Sequence, residues 1–320
     1  MGVNIMHDDI KNVACIGSGL IGQGWATLFA AAGFGVIMQD LSDDKLKSAL
    51  EQVRLNLIHL EDNGRLQTET AASAYKLIRT SLSLAGAVKD ADYILESVPD
   101  KYSAKKPVFR EMDALAAPDT ILASSSSGLL MTEIQTAVTR PERCVLVHPF
   151  LPVHLLPLVE VVGGEQTVPE TVEITCRLME KIGKAPVQLK KEVSGYIVNR
   201  LQAAILREAM DLVASGVASA QEVDQAFCSG MGMRDPFIGP LLRAHLAGNG
   251  IESFVEHYAE SYRLRWESMA TWNTISAPMG DTVVDSVNEM PIVRDNSLDE
   301  IISWRDKMLM EILKLDLTCH

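Results

Sequence analysis

Bases are scarce in this chain. Twenty-nine lysines and arginines stand against 42 aspartates and glutamates, giving a net charge of -13 and a pI near 5.0. An acidic protein is a poor match for a phosphate backbone or an anionic membrane, though a local basic patch can still hold one small anion. Neither nucleic acid nor membrane is therefore expected as a partner. Cysteine is sparse too. The five residues at 15, 144, 176, 228 and 319 form no CxxC pair and no Cys/His set at zinc spacing. No metal is expected, and the thiols read as free in a reducing compartment. His7, Asp8 and Asp9 stand where a signal peptide needs a basic start and an apolar run. Met6 fills a slot that myristoylation reserves for Ser or Thr, and Cys319 lies too near the end for a prenylation box. A cytoplasmic location is expected. Repeats and low-complexity segments are missing. With 47% hydrophobic and 22% charged residues, disorder and collagen are excluded. A length of 320 residues suggests two domains.

Residues 12–39 carry no charged side chain, long enough to suggest a membrane span. Six glycines interrupt the stretch, and a strand, a turn, a helix and a second strand describe it better. Strands are expected at 11–16, 35–39, 93–97, 120–124, 143–148 and 158–162. Helices are expected at 21–32 and, after a Ser42 cap, at 43–62. Strands alternating with helices argue for a parallel sheet covered on both faces. After about residue 190 the pattern turns helical, with candidates at 197–215, 219–229, 236–247, 251–271 and 297–315. The expected division is a sheet domain over 1–190 and a helical domain over 191–320.

The first turn reads Gly17-Ser18-Gly19-Leu20-Ile21-Gly22, a GxGxxG between a strand and a helix. Gly17 permits the tight turn, Gly19 lets backbone N–H groups approach a pyrophosphate, and Gly22 lets helix and strand pack closely. Leu20 and Ile21 open the helix whose positive end faces the phosphates. Asp40 ends the next strand, 18 residues after Gly22, where its carboxylate can accept hydrogen bonds from an adenosine ribose. It would repel a 2′-phosphate, so NAD is expected rather than NADP.

His148 ends the strand RCVLVH, and Glu160 lies within LVEVV. Pro149, Pro152 and Pro157 block a helix between them, so a turn near His154 would fold the two strands back and set 148 opposite 160. A carboxylate beside an imidazole orients it and stabilises its charged form, which suits a general base for alcohol oxidation. The competing reading is a satisfied core histidine.

The set GSGLIG, ASSSSGLL, HPF…PLVEVV and GYIVNRL resembles the 3-hydroxyacyl-CoA dehydrogenase family over about residues 1–250, most nearly its lambda-crystallin, L-gulonate 3-dehydrogenase and L-carnitine dehydrogenase branch. The resemblance implies a Rossmann-type, doubly wound, mostly parallel α/β sheet followed by an all-helical domain that binds substrate and carries homodimer contacts. It implies His148 as base with Glu160 as its partner, Ser127 and Asn199 at the substrate, and Asp100 and Lys105 near the nicotinamide half of the cofactor. Asp100 stands where the family usually has Glu, and Leu151 replaces the Asn of an H-x-F-N-P pattern. Read alone, Ser127 is a hydrogen-bond donor or acceptor for a substrate oxygen or a helix N-cap, two roles that can coexist, and Asn199 could be a local capping residue.

The segment from Gly230 to Pro240 (GMGMRDPFIGP) resembles one found in that branch, and its Arg234 could bind a substrate carboxylate as a planar fork. An ion pair with Asp235 is the alternative. Tyr258, Tyr262, Trp266 and Trp272 could cage a quaternary ammonium or serve as a packing face. The expected activity is NAD-dependent oxidation of a small 3-hydroxy acid to the 3-keto acid. The alternatives are an L-3-hydroxyacyl-CoA dehydrogenase and a crystallin-like structural protein that only binds NAD.

Overall fold

The computed structural model describes residues 10–315, so the readings drawn from Met6, His7, Asp8, Asp9 and Cys319 fall outside it. The chain divides into two compact units, one ending at Asn199 and the other starting at Arg200.

Eight strands form one sheet in the first unit. They are β1 (Asn12–Ile16), β2 (Gly35–Gln39), β3 (Ile78–Ser81), β4 (Tyr93–Glu96), β5 (Ile121–Ser124), β6 (Cys144–Pro149), β7 (Leu158–Gly163) and β8 (Ala185–Gln188). Their order is β3-β2-β1-β4-β5-β6-β7-β8. The first six run parallel, β7 is antiparallel to β6, and β8 is parallel to β7. This is a Rossmann-type arrangement. Strands β4, β5 and β6 are buried throughout, as expected of strands covered on both faces, and that is why they read as continuous apolar runs. The edges β3 (IRTS) and β8 (APVQ) were not expected. Both are four residues long, largely unburied and without an apolar run.

Helices α1 (Leu20–Ala31), α2 (Asp43–Asp62), α3 (Ala71–Tyr75), α4 (Leu84–Val88), α5 (Tyr102–Leu115), α6 (Met131–Gln135) and α7 (Pro169–Lys181) cover the sheet. Helix α2 spans the expected residues, and Ser42 caps it by accepting the Lys45 N–H at 3.4 Å. Phe109 and Met112 of α5 share one buried cluster with Ala14, Ile94, Leu122 and Leu146 of the sheet. Burying one such side chain is worth roughly 1.5–3 kcal/mol. The charge-free stretch resolves into β1, α1 and β2, and among the described residues no helix is long and apolar enough to cross a membrane.

The second unit is helical, with no strand among its described residues. Its helices are α8 (Val198–Ala214, whose first turn holds the division), α9 (Ala220–Ala226), α10 (Pro240–Ala247), α11 (Ile251–Ser268), α12 (Ala277–Asn288), α13 (Pro291–Arg294) and α14 (Leu298–Ile312). Capping boxes at Ser219/Glu222 and Ser297/Glu300 start α9 and α14. Helix α12 was not expected, and its Gly280 and Asp281 obscure the apolar period. From Arg200 to Leu315 only Val213, Ala220 and Met310 are buried.

Candidate active site

The glycine loop follows β1, Asp100 follows β4, Ser124–Ser127 end β5 and enter the loop after it, and His148 lies near the end of β6. All sit at the carboxyl ends of parallel strands. The strand order reverses between β1 and β4, and ligands of such sheets bind in the crevice there. Gly17 has φ +94°, and a Cβ on it would stand 2.9 Å from the Ser97 carbonyl oxygen. A Cβ on Gly22 would lie 1.9 Å from the Gly17 oxygen, so only glycine lets α1 start this close to the turn. At Gly19 a Cβ would meet nothing within 4 Å. Gly19 is the N-cap of α1, and no side chain caps that helix end. Leu20 and Ile21 follow it, with Leu20 exposed. A bare helix N-terminus facing open space fits a pyrophosphate.

Asp40, at the end of β2, is tied to this loop. Its carboxylate accepts the Ser18 N–H at 3.0 Å, the Ser18 hydroxyl at 2.8 Å and the Leu41 N–H at 2.8 Å. Partial burial pushes its pKa up, but those bonds and the Lys45 charge outweigh it and hold the carboxyl below its ordinary value. The acid is thus ionised beside the phosphate-facing loop. These residues fit NAD.

A buried polar layer underlies the next two loops. Lys105 is 1% exposed, and its ammonium donates to both oxygens of the fully buried Glu96 at 2.8 and 3.1 Å and to the Val98 carbonyl at 3.2 Å. Ser124 donates to Glu96 at 2.7 Å. Asp100 lies 3.7 Å from Lys105. Its carboxylate accepts the Ser126 hydroxyl at 2.6 Å, the Ser127 hydroxyl at 2.8 Å and the Ser127 N–H at 3.1 Å. Burial acts against ionisation of Asp100, yet the serine bonds and Lys105 bring its pKa down. The shorter acid at position 100 therefore holds the serine loop directly. Glu96 gave no signal in the sequence beyond ending a strand.

Ser127 is not a helix cap. Helix α6 is instead capped from a distance by Glu192, which accepts from the Met131 and Thr132 N–H groups. Asn199, the second residue of α8, donates its amide to the Ser127 carbonyl at 2.7 Å. Ser127, Asn199 and Asp100 are thus brought into one group.

The turn after β6 folds β7 back, and His148 and Glu160 are register partners. Both are buried, with His148 Nδ1 2.8 Å from a Glu160 oxygen. The other Glu160 oxygen accepts the Ile197 and Val198 N–H groups at 2.9 and 3.0 Å. Burial pushes Glu160 up, but the bonds from His148, Val198 and Ile197 prevail and hold it below its ordinary value. An ionised Glu160 makes Nδ1 the proton-bearing nitrogen, so Nε2 carries the lone pair. Among the described residues, Nε2 has no hydrogen-bond partner. Phe150 and Tyr196 flank the imidazole at ring-centroid distances of 4.5 and 5.2 Å. Tyr196 has φ +49° after Gly195 at +77°. A tyrosine held there is strained, and its hydroxyl bond to the Leu129 carbonyl and full burial keep it in place. That turn also aims the Ile197 and Val198 N–H groups at Glu160. Neither Phe150 nor Tyr196 was anticipated; a glycine before an aromatic at a helix start was the available signal. Leu151 is 50% exposed on the loop after Phe150.

Arg234 lies in the second unit, exposed, after a π-helical turn at Phe227–Met231. Asp235 is paired with Arg243 at 2.7 Å rather than with Arg234. Along α11 Phe254 contacts both Tyr258 and Tyr262, and Tyr262 contacts Trp266, while Trp272 donates separately to Asp211 at 2.9 Å. Four of these rings thus share one helix, as a packing face requires. Among the described residues no three His, Cys, Asp or Glu are grouped to hold a metal.

Residues 12–193 match the NAD-binding domain of 3-hydroxyacyl-CoA dehydrogenase, and residues 195–286 match its C-terminal domain. A lambda-crystallin homolog of Rattus norvegicus is 37% identical over 307 residues, covering 95% of each chain. An L-carnitine dehydrogenase of Streptomyces coelicolor is 36% identical over 312 residues, covering 96% of this chain and 95% of the relative. Among solved structures, a 5-formyl-3-hydroxy-2-methylpyridine 4-carboxylic acid 5-dehydrogenase superposes with a TM-score of 0.81 at 28% identity, covering 95% and 97% of the two chains. A (S)-3-hydroxybutyryl-CoA dehydrogenase from Ralstonia eutropha gives 0.66 at 29%, covering 80% and 88%. With its glycine loop and Asp40 set for NAD, the chain belongs to the 3-hydroxyacyl-CoA dehydrogenase family and is an NAD-dependent dehydrogenase acting on CH–OH.

Proposed function

We propose that the substrate is a small free 3-hydroxy acid, L-gulonate-like or L-carnitine-like, oxidised to its 3-keto acid. The observation that carries this reading is Arg234. Its nearest competing partner, Asp235, is taken by Arg243, and among the described residues Arg234 has no ion pair. A free guanidinium fork suits a carboxylate. The named activity of the L-carnitine dehydrogenase relatives, oxidation of one such acid, supports it. His148 Nε2 takes the hydroxyl proton while Nδ1–H donates to Glu160, whose negative charge stabilises the imidazolium that forms. With substrate bound, the Ser127 hydroxyl turns from Asp100 to donate to the substrate oxygen, whose single proton goes to His148, and Asn199 fixes the serine's backbone. Bound NAD supplies the acceptor for the hydride. Leu20, Ile21 and the three glycines of the loop would hold its phosphates and Asp40 its ribose, with Asp100 and Lys105 shaping the nicotinamide end.

The domain roles follow the same reading, with cofactor on the sheet (1–190) and substrate and dimer contacts on the helices (191–320). With only three of its described residues buried, the second unit has not closed a core by itself. Leu241 at 80% exposure, Trp266 at 64% and Trp304 at 54% favour cover by a second copy, hence a homodimer. Cys15, Cys144, Cys176 and Cys228 are free thiols, which supports a cytoplasmic setting. The deciding experiment is NAD reduction by the purified protein with L-gulonate, L-carnitine, 3-hydroxybutyrate and 3-hydroxybutyryl-CoA. Turnover of a free acid is expected. Preference for the thioester would replace this reading with an acyl-CoA one, and no turnover at all would leave a structural NAD-binding protein.

A further inference from the structure

Lys184 is a buried cation that the chemistry above does not use. It precedes β8, is 6% exposed and has no carboxylate partner among the described residues. Lysine is rarely buried unless paired. Here the ammonium donates to two main-chain carbonyls, those of Val153 and Leu156, the latter at 2.6 Å. It also sits 5.4 Å from the centroid of the Trp25 ring. Val153 and Leu156 belong to the loop joining β6 to β7, the two strands that carry His148 and Glu160. Trp25 belongs to α1, the helix that begins at the glycine loop, and is fully buried. Two further contacts extend the junction. The indole N–H of Trp25 donates to the Ser125 hydroxyl at 2.9 Å, in the loop that carries Ser127. Val153 packs so tightly on α1 that a Cβ on Gly24 would fall 2.5 Å from the Val153 Cβ.

We propose that Lys184 is a positioning residue: by clamping the 150–157 loop onto α1 and Trp25, it fixes the His148–Glu160 pair and the Ser127 loop relative to the cofactor-binding helix. Among the described residues no backbone N–H donates to either carbonyl. A neutral apolar side chain would take this donor from one buried and one part-buried carbonyl, and the loop would move to find others. Burial pulls the lysine pKa down to about 7, the cost expected of a cation kept for its contacts rather than for solubility. The effect on chemistry passes through geometry, because a shift of about 1 Å in a reacting group can cost on the order of 100-fold in rate.

This inference rests on His148 being the base, and the test separates the two. Lys184→Met is made in the full chain, and NADH binding, kcat, KM and amide hydrogen exchange are compared with wild type. NADH affinity and substrate KM should stay within about 3-fold while kcat falls about 30-fold or more, and exchange over 150–157 should quicken. Equal loss in KM and NADH affinity, or an unchanged kcat, overturns the proposal. Gly24→Ala presses on the same loop from α1 without touching Lys184. It should give the same split, and it decides the matter if Lys184→Met does not fold. A wild type inactive on every substrate tried defeats the proposed function, the role of His148 as base included, and not the clamp itself. Exchange over 150–157 and 195–199 then decides the clamp, and unchanged rates overturn it.

Discussion

Replacing Glu160 by Gln tests the proposed base with almost no change of shape. The Gln carbonyl can still accept the Ile197 and Val198 N–H groups, now at 2.9 and 3.0 Å, so the fold should survive with little loss of Tm. The amide nitrogen would then face His148 Nδ1, where the carboxylate stands at 2.8 Å. Two effects follow. A donor opposite Nδ1 forces the proton onto Nε2, the nitrogen that has to receive one from the substrate. The imidazolium also loses its counter-charge. Two unit charges about 4 Å apart at an effective dielectric near 20 interact by about 4 kcal/mol, which is about 10³-fold in rate. The comparable carboxylate-to-amide change in a serine protease triad costs about 10⁴. Glu160→Gln should therefore lower kcat by about 10³- to 10⁴-fold, read as NADH formation under saturating NAD, with NADH binding intact. His148→Gln marks the floor. A Glu160→Gln enzyme within about 10-fold of wild-type kcat would refute the assignment of this pair as base and partner.

Three other outcomes are expected. Asp40→Asn keeps an acceptor for the Ser18 N–H but removes the charge, so NADH should bind roughly 10-fold more weakly and discrimination against NADPH should narrow in fluorescence titrations; unchanged values would dismiss Asp40 as the ribose acceptor. Arg234→Met should raise KM for a free acid by about 10- to 100-fold, as expected for a lost charge-assisted pair, while leaving NADH binding alone; an unchanged KM and kcat would dismiss Arg234 from substrate binding. Sedimentation velocity should show a species of about twice 35.0 kDa, and a monomer would mean the exposed helical faces serve something else.

Sequence patterns were most informative where one local force dominates. The parallel core strands announce themselves because burial on both faces permits only apolar residues, and α2 because its cap and period coincide. The edges β3 and β8 escape notice because their selection is to avoid further pairing, not to fill a core, so they carry polar residues or proline. The register of His148 on Glu160 could be anticipated because three prolines leave the intervening chain no helix to form, and two strands separated by a turn must then meet.

The remainder of the site was hidden because it depends on contacts distant in sequence. Lys184 in KIGKAPV looks like any surface lysine; only the fold reveals that the loop 28 to 31 positions earlier supplies its partners. Tyr196 follows a glycine and reads as a loop aromatic, yet its positive φ places the ring on His148 and two neighbouring N–H groups on Glu160. Glu96 ends a strand like many acids and becomes distinctive only when Lys105 and Ser124 close on it. In each case a residue of common type is committed by a long-range partner, and the commitment costs desolvation that water would otherwise prevent. The groups that perform the proposed chemistry were therefore the easier ones to find, since proton transfer restricts them to a few residue types. The groups that hold them can be any residue able to donate or accept, so their identity follows from packing and was bound to surface only with the fold.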